Sequence, residues 1–264
     1  MNPSSAPIGV FDSGLGGLTV LRALQQQLPH EHFLYFADTR FLPYGDRSEE
    51  FLRERGLTIA NHFAQLGAKA IVVACNTATA AAAESIRAHC PIPVVALEPA
   101  VKPAAALSKT GTIAVLATTR TLASQRFKRL VADHAEHLRV ISQPCPGLAD
   151  AIEAEGPNSQ LVANLLDTFV TPLRYTETDV VVLGCTHYPW VSEGIAARLP
   201  AHVKILDTGE AIARQLHRRL ANNPSWVPHP QSHISLATSG DVGKVQKTVE
   251  MLWGTKLPIK HWAL

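Results

Sequence analysis

Short apolar runs alternate along this chain with segments of helical spacing, and that alternation confines it to few folds. Residues 8–11, 33–36, 70–74 and 94–97 read as strands, with helical spacing over 18–28, 48–66 and 77–89 between them. The pattern restarts at 112–116, followed by a polar turn at 118–121, a helix over 122–132 and a strand over 138–142. A helix over 160–170, strands at 179–183 and 203–206 and a helix over 211–220 follow. A proline-rich stretch, 224–230, breaks the chain. A strand over 234–237, a turn at Ser239-Gly240-Asp241 and a helix over 244–252 close the pattern. Strand, loop and helix in this order predict an α/β fold with a mostly parallel sheet.

The two halves can be laid on one another. Ile8-Gly9-Val10-Phe11-Asp12-Ser13 matches Ile113-Ala114-Val115-Leu116-Ala117-Thr118 in pattern, and the run ending at Cys75 matches the run ending at Cys185. Ser13 to Cys75 is 62 residues, and Thr118 to Cys185 is 67. The expectation is two similar α/β lobes with mostly parallel sheets related by pseudo-twofold symmetry. One lobe takes residues 1–97 plus 209–264, the other 98–208. Ligands of open parallel sheets lie beyond the carboxyl ends of strands, where both cysteines fall. The active site is therefore expected in the cleft between the lobes.

At 264 residues, with 46% hydrophobic and 17% charged, the chain can bury a real core and is not disordered. The formal net charge is +2, and Arg53, Arg55, Arg218 and Arg219 form the nearest approach to basic patches. Both pairs are expected on solvated helix faces, so nucleic acid is not an expected partner. No apolar run reaches the roughly 18–20 residues of a membrane span. The first residues show neither the basic nor the apolar region of a signal peptide. A cytoplasmic protein with no membrane partner is expected. The four cysteines, Cys75, Cys90, Cys145 and Cys185, contain no C-x-x-C pair, so free thiols are expected rather than zinc ligands or disulfides.

Two thiols stand apart from the rest. Cys75 ends an apolar run and is followed by Asn76 and Thr77 at a helix start, where the helix dipole is expected to lower a thiol pKa. Cys185 ends the equivalent run and is followed by Thr186 and His187, an imidazole able to exchange a proton. Cys90 and Cys145 lack such turns and read as inert buried thiols. The loop Asp12-Ser13-Gly14-Leu15-Gly16-Gly17 has neither dinucleotide-fold nor Walker A spacing, yet its glycines free backbone N–H groups at a helix start, which suits an anion. Two thiols could form a redox disulfide, act as nucleophile and resolving thiol, or serve as acid and base on either side of a carbon. The quasi-symmetry fits the last best. Inversion of a stereocentre needs a base on one face and an acid on the other, each within about 3–3.5 Å of the carbon.

Four blocks then carry a resemblance. They are Phe11-Asp12-Ser13-Gly14-x-Gly16-Gly17-Leu18-Thr19-Val20, Asp38-Thr39 with Pro43-Tyr44-Gly45, Ala74-Cys75-Asn76-Thr77-Ala78, and Leu183-Gly184-Cys185-Thr186-His187-Tyr188-Pro189. In order and spacing they resemble the glutamate racemases of the aspartate/glutamate racemase superfamily, over residues 8–254. Ala237-Thr238-Ser239-Gly240-Asp241 is similar to that family's closing strand and turn. The resemblance implies a cofactor-independent and metal-free isomerase that interconverts L- and D-glutamate, the D form feeding peptidoglycan synthesis and cell shape. It implies Cys75 and Cys185 as the catalytic thiols, with Asp12 assisting the first and His187 and Glu153 the second. It also implies contacts to glutamate from Asp12, Ser13, Tyr44, Gly45, Asn76, Thr77, Thr186 and His187. Trp190 stands where an aliphatic is commoner and is expected to pack in the core. A homodimer is carried as an expectation without a sequence signal of its own. The rivals are a thiol-pair racemase for aspartate or a hydantoin, a non-catalytic two-lobed amino-acid-binding protein, and a thiol–disulfide enzyme. The missing C-x-x-C argues against the last.

Overall fold

The computed structural model describes residues 6–221 and 233–264. The proline-rich stretch 224–230 lies outside them. The chain divides into two compact units, Met1–Leu97 with Gly209–Leu264, and Glu98–Thr208.

The first unit begins with β1 (Ile8–Asp12), α1 (Leu18–Gln27), β2 (His32–Ala37), α2 (Glu49–Gln65), β3 (Ala70–Val73), α3 (Asn76–His89) and β4 (Val94–Ala96). The second unit holds α4 (Val101–Leu107), β5 (Thr112–Ala117), α5 (Thr119–Ala123), α6 (Gln125–Ala135), β6 (Arg139–Pro144) and α7 (Leu148–Glu155). It continues through α8 (Gln160–Phe169), β7 (Val180–Leu183), α9 (Ser192–Ala196) and β8 (Lys204–Leu206). The chain then returns to the first unit as α10 (Gly209–Ala221), β9 (His233–Thr238), α11 (Val242–Trp253) and β10 (Ile259–His261).

Among the described residues the first sheet runs β10-β9-β2-β1-β3-β4 and the second β6-β5-β7-β8. Every described strand pair is parallel. The inner order β2-β1-β3-β4 is the order β6-β5-β7-β8 over again, so the repeat in sequence is a repeat in topology. β1, β3, β5 and β7 are buried along their whole length. Helices cover both faces of a parallel sheet, which is why these strands are written as unbroken apolar runs. In the first unit Phe11, Phe36, Ile59, Phe63, Val73 and Ile86 join one apolar cluster between sheet and helices. In the second, Val101, Ile113, Val115, Phe127 and Val182 do the same. Each such side chain, fully buried, stabilises the fold by about 1.5–3 kcal/mol.

In each sheet the chain steps to one side of its first strand and then to the other. Such a reversal parts the loops at the carboxyl ends and leaves room for a ligand. The parting falls between β1 and β3 in one sheet and between β5 and β7 in the other. Asp12, Ser13 and Cys75 stand at the first position, and Thr118 and Cys185 at the second.

The structure departs from the sequence expectation in several places, α7 and α9 among them, neither of which has a counterpart in the expected helices. Residues 118–121 are not a free turn. Thr118 accepts a hydrogen bond from the Thr121 N–H and starts α5, and Ser124 ends that helix and caps α6. α4 has no counterpart among the expected helices; Pro103 is tolerated in it because its place in the first turn removes an N–H that has no intrahelical partner. The fold closes on β10 rather than on α11, with Trp262 stacked on Phe36 at 5.3 Å. Arg55 is not on a solvated face: it is buried, while Arg53, Arg218 and Arg219 are exposed as expected.

Candidate active site

In the first unit a chain of contacts runs from the end of β1 to the end of β3. The Asp12 carboxylate accepts from the Ser13 N–H at 2.7 Å and from the Gly17 N–H at 2.5 Å. The anion that the glycine loop holds is thus the chain's own carboxylate. Gly17 is required by close approach, since a Cβ there would lie 2.9 Å from Asp12 Cβ, 2.9 Å from Tyr35 Oη and 3.0 Å from the Ala74 carbonyl oxygen. The Ser13 hydroxyl lies 3.3 Å from Asp12 Oδ1 and 3.6 Å from Cys75 Sγ. Cys75 is the N-cap of α3, and its sulfur accepts from the Ala78 N–H at 3.4 Å.

Burial pushes the Cys75 thiol well above its ordinary range, and the charge of Asp12 pushes it further. The hydrogen bonds from Ala78 and Ser13 pull the other way and lose. The lowering expected from the helix terminus is therefore overturned, because removing a thiolate from water costs more than two N–H groups and one hydroxyl return.

Asn76 and Thr77 form the first turn of α3, both buried. The Asn76 Oδ1 atom has no hydrogen-bond partner among the described residues. Tyr44 is buried in the same apolar cluster as Cys75. Its hydroxyl donates to Asp38 Oδ2 at 2.5 Å, and burial together with the neighbouring Asp38 charge keeps it protonated. Gly45 follows, and a Cβ built there meets nothing within 4 Å. Arg55 forks onto Asp38, Nε to Oδ2 at 2.7 Å and Nη2 to Oδ1 at 2.6 Å. Removing one partner of such a buried pair costs about 3–5 kcal/mol, because the other charge stays buried.

The second unit repeats the plan with other chemistry. Cys185 lies two residues past the end of β7, and its sulfur lies 3.7 Å from Nδ1 of His187. The far side of that ring meets Glu153, Nε2 to Oε1 at 2.7 Å. Burial works against a charge on His187, but its hydrogen bonds with Cys185 and Glu153 and the Glu153 carboxylate raise its pKa well above the ordinary value. Glu153 reaches the ring from α7, whose start is set by Gly147 at φ 74°, a left-handed conformation that favours glycine. Thr186 is buried between Cys185 and His187. Tyr188 is fully buried, and its hydroxyl donates to the Cys145 carbonyl at 3.4 Å. Cys145 is buried, which pushes its thiol up to about 12. Cys90 is half-buried, and all four cysteines are free. Trp190 is partly buried.

The structure brings together Asp12, Ser13 and Cys75 in one unit and Glu153, His187 and Cys185 in the other. Each set is a thiol joined through one polar side chain to a carboxylate, at the carboxyl ends of topologically equivalent strands. Such a set can give up or take up a proton at sulfur. What sequence reasoning missed is the Asp38–Arg55 pair, whose only sequence signal was a charged residue at a core-facing helical position. Among the described residues no group of three or more His, Cys, Asp or Glu side chains is placed to hold a metal ion.

Residues 8–216 match the family model of the Asp/Glu/hydantoin racemases. A glutamate racemase of Ectopseudomonas mendocina is 46% identical over 98% of this chain and 99% of its own. Among solved structures, a glutamate racemase of Bacillus anthracis superposes with a TM-score of 0.89 at 30% identity, covering 99% of this chain and 98% of that one. The Escherichia coli glutamate racemase, in complex with L-glutamate and the activator UDP-MurNAc-Ala, superposes with a TM-score of 0.87 at 29% identity over 97% of each chain.

Proposed function

Because the chain belongs to the Asp/Glu/hydantoin racemase family and is therefore an isomerase, we propose that it interconverts L- and D-glutamate by proton transfer between Cα and two cysteine thiols, one on each face. The observation that carries the reading is the pair of thiol–carboxylate sets at equivalent strand ends. Full-length relatives named glutamate racemase support the choice of substrate.

One thiolate removes the Cα proton, and the opposite thiol delivers its own proton to the other face of the carbanion. One proton leaves carbon and one arrives, and the two sulfurs exchange protonation states. Cys75 rests as a thiol, since burial and Asp12 disfavour its anion. It is ready to donate. To act as base it must first lose its proton, and the Ser13 hydroxyl and Asp12 carboxylate offer the nearest route. When Cys185 carries negative charge, the His187 imidazolium faces it, held charged by Glu153. The weakly acidic Cα–H needs its developing charge stabilised by oriented donors away from water. Ser13, Tyr44, Gly45, Asn76, Thr77, Thr186 and His187 are assigned to the substrate's polar groups, and the open acceptor on Asn76 suits the ammonium. No cofactor enters the scheme. The product D-glutamate would serve peptidoglycan synthesis in the cytoplasm, each lobe, 1–97 plus 209–264 and 98–208, supplying one thiol.

Racemisation followed by circular dichroism from each enantiomer, with no cofactor added, tests this. Cys75→Ser and Cys185→Ser are each expected to lose about 10²–10⁴-fold in rate. Full activity of both variants in both directions would falsify the two-thiol scheme. Deuterium uptake at Cα that is faster for aspartate than for glutamate would replace the substrate.

A further inference from the structure

We infer that Arg55, acting through Asp38, is a positioning residue for the turn that carries Tyr44 and Gly45. The inference rests on the reading of those two residues as substrate contacts. Asp38 follows β2 at its carboxyl end, and its N–H donates to the Asp12 carbonyl at 3.0 Å. Its carboxylate is fully buried. Arg55 engages both of its oxygens, and the Tyr44 hydroxyl donates to the oxygen that Arg55 Nε also reaches. The guanidinium stands 4.4 Å over the Phe41 ring, in the middle of the same turn.

The front of the turn has separate anchors. Thr39 Oγ1 lies 2.8 Å from Thr238 Oγ1, and the Arg40 N–H donates to Ser239 Oγ at 3.2 Å. Its far end, Tyr44–Asp46, packs on α3, the helix that Cys75 caps. That end is tied to the sheet through the Tyr44 hydroxyl, Asp38 and Arg55. Arginine suits the task because its planar fork fixes direction as well as charge, which a lysine point charge does not. Loosening the fork lets Tyr44 and Gly45 shift against Cys75 while leaving both thiols and their carboxylates untouched. The effect belongs in substrate binding rather than in proton transfer.

Steady-state kinetics from both glutamate enantiomers, with Arg55→Lys, Tyr44→Phe and the double variant, test the inference. Arg55→Lys keeps the buried charge neutralised and Tyr44→Phe removes one hydroxyl, so neither strands a buried ion. Arg55→Lys, which touches no assigned substrate contact, is expected to raise KM about tenfold while kcat stays within about threefold, short of the roughly hundredfold that a full ångström of misplacement can cost, and Tyr44→Phe, which also alters a substrate contact, is expected to raise KM at least as much. The double variant should be no worse than the worse single one, since both act on one tether. Wild-type protein that racemises no glutamate overturns the substrate reading and this inference with it. Wild-type turnover with an unchanged KM in Arg55→Lys, or KM increases that multiply in the double variant, overturns the inference alone.

Discussion

Cys75 and His187 are both buried, but their surroundings act on charge in opposite senses. At Cys75 the nearest charge is the like-signed Asp12, so burial and Coulomb repulsion act together against the thiolate. At His187 the hydrogen bonds to Cys185 and Glu153, with the Glu153 charge, outweigh burial and hold the imidazolium. A histidine pKa raised by folding stabilises the protein fully below the unfolded value of about 6.5, and that stability is lost as pH rises through the folded value. Glu153→Gln removes the charge that holds the proton. The His187 pKa, followed by NMR of the imidazole nitrogens, should therefore fall. The variant's stability deficit in urea should be largest at acid to neutral pH and should close as pH rises through the wild-type His187 pKa. An unmoved His187 titration would show that Glu153 does not hold the charge.

Several elements start or stop on a single polar side chain. Ser48, Thr118, Ser124, Ser159 and Asp241 each accept an N–H in the first turn of the helix they begin. Loops are pinned in the same way. Asp179, just before β7, accepts from Ser108 Oγ at 2.7 Å, Lys109 N–H at 2.5 Å and Thr110 N–H at 3.0 Å. It thereby ties the α4–β5 turn to the strand that leads to Cys185. Burial opposes its charge, but these three donors win and hold its pKa below the ordinary carboxylate value. A depressed pKa gives stability that is present above the unfolded value of about 3.9 and lost as pH falls through the folded one. Asp179→Ala should cost about 2 kcal/mol in urea unfolding at neutral pH, with the gap to wild type narrowing in acid. An equal gap at every pH would place the effect in packing instead.

For the whole molecule, a ligand that binds only the folded state stabilises it by mass action. Glutamate at a hundred times its Kd would add about 2.7 kcal/mol. In a chain of this size that corresponds to a rise in Tm of roughly 5–10 °C, and aspartate at the same concentration should give less. Equal shifts from both amino acids would remove the preference for glutamate. The α/β class was legible in the sequence because the central strands β1, β3, β5 and β7 are contiguous runs buried on both faces, a signal that needs no distant partner. Cys75 and Cys185 stood out for the same reason, each placed by the strand that precedes it and the turn that follows. Other features depend on residues far along the chain. β10 exists only because β9 offers its edge, Arg55 is buried because Asp38 waits 17 residues earlier, and Glu153 meets a ring 34 residues away. The proton affinity of Cys75 was misjudged because the helix terminus is local whereas burial is not. Sequence alone determined the alternation of the central strands with their main helices and the two thiols just past strand ends, since period and turn chemistry act over a few residues. Only the tertiary structure decided which polar groups face those thiols and which form stays charged, because Coulomb energy and desolvation depend on everything packed around a group.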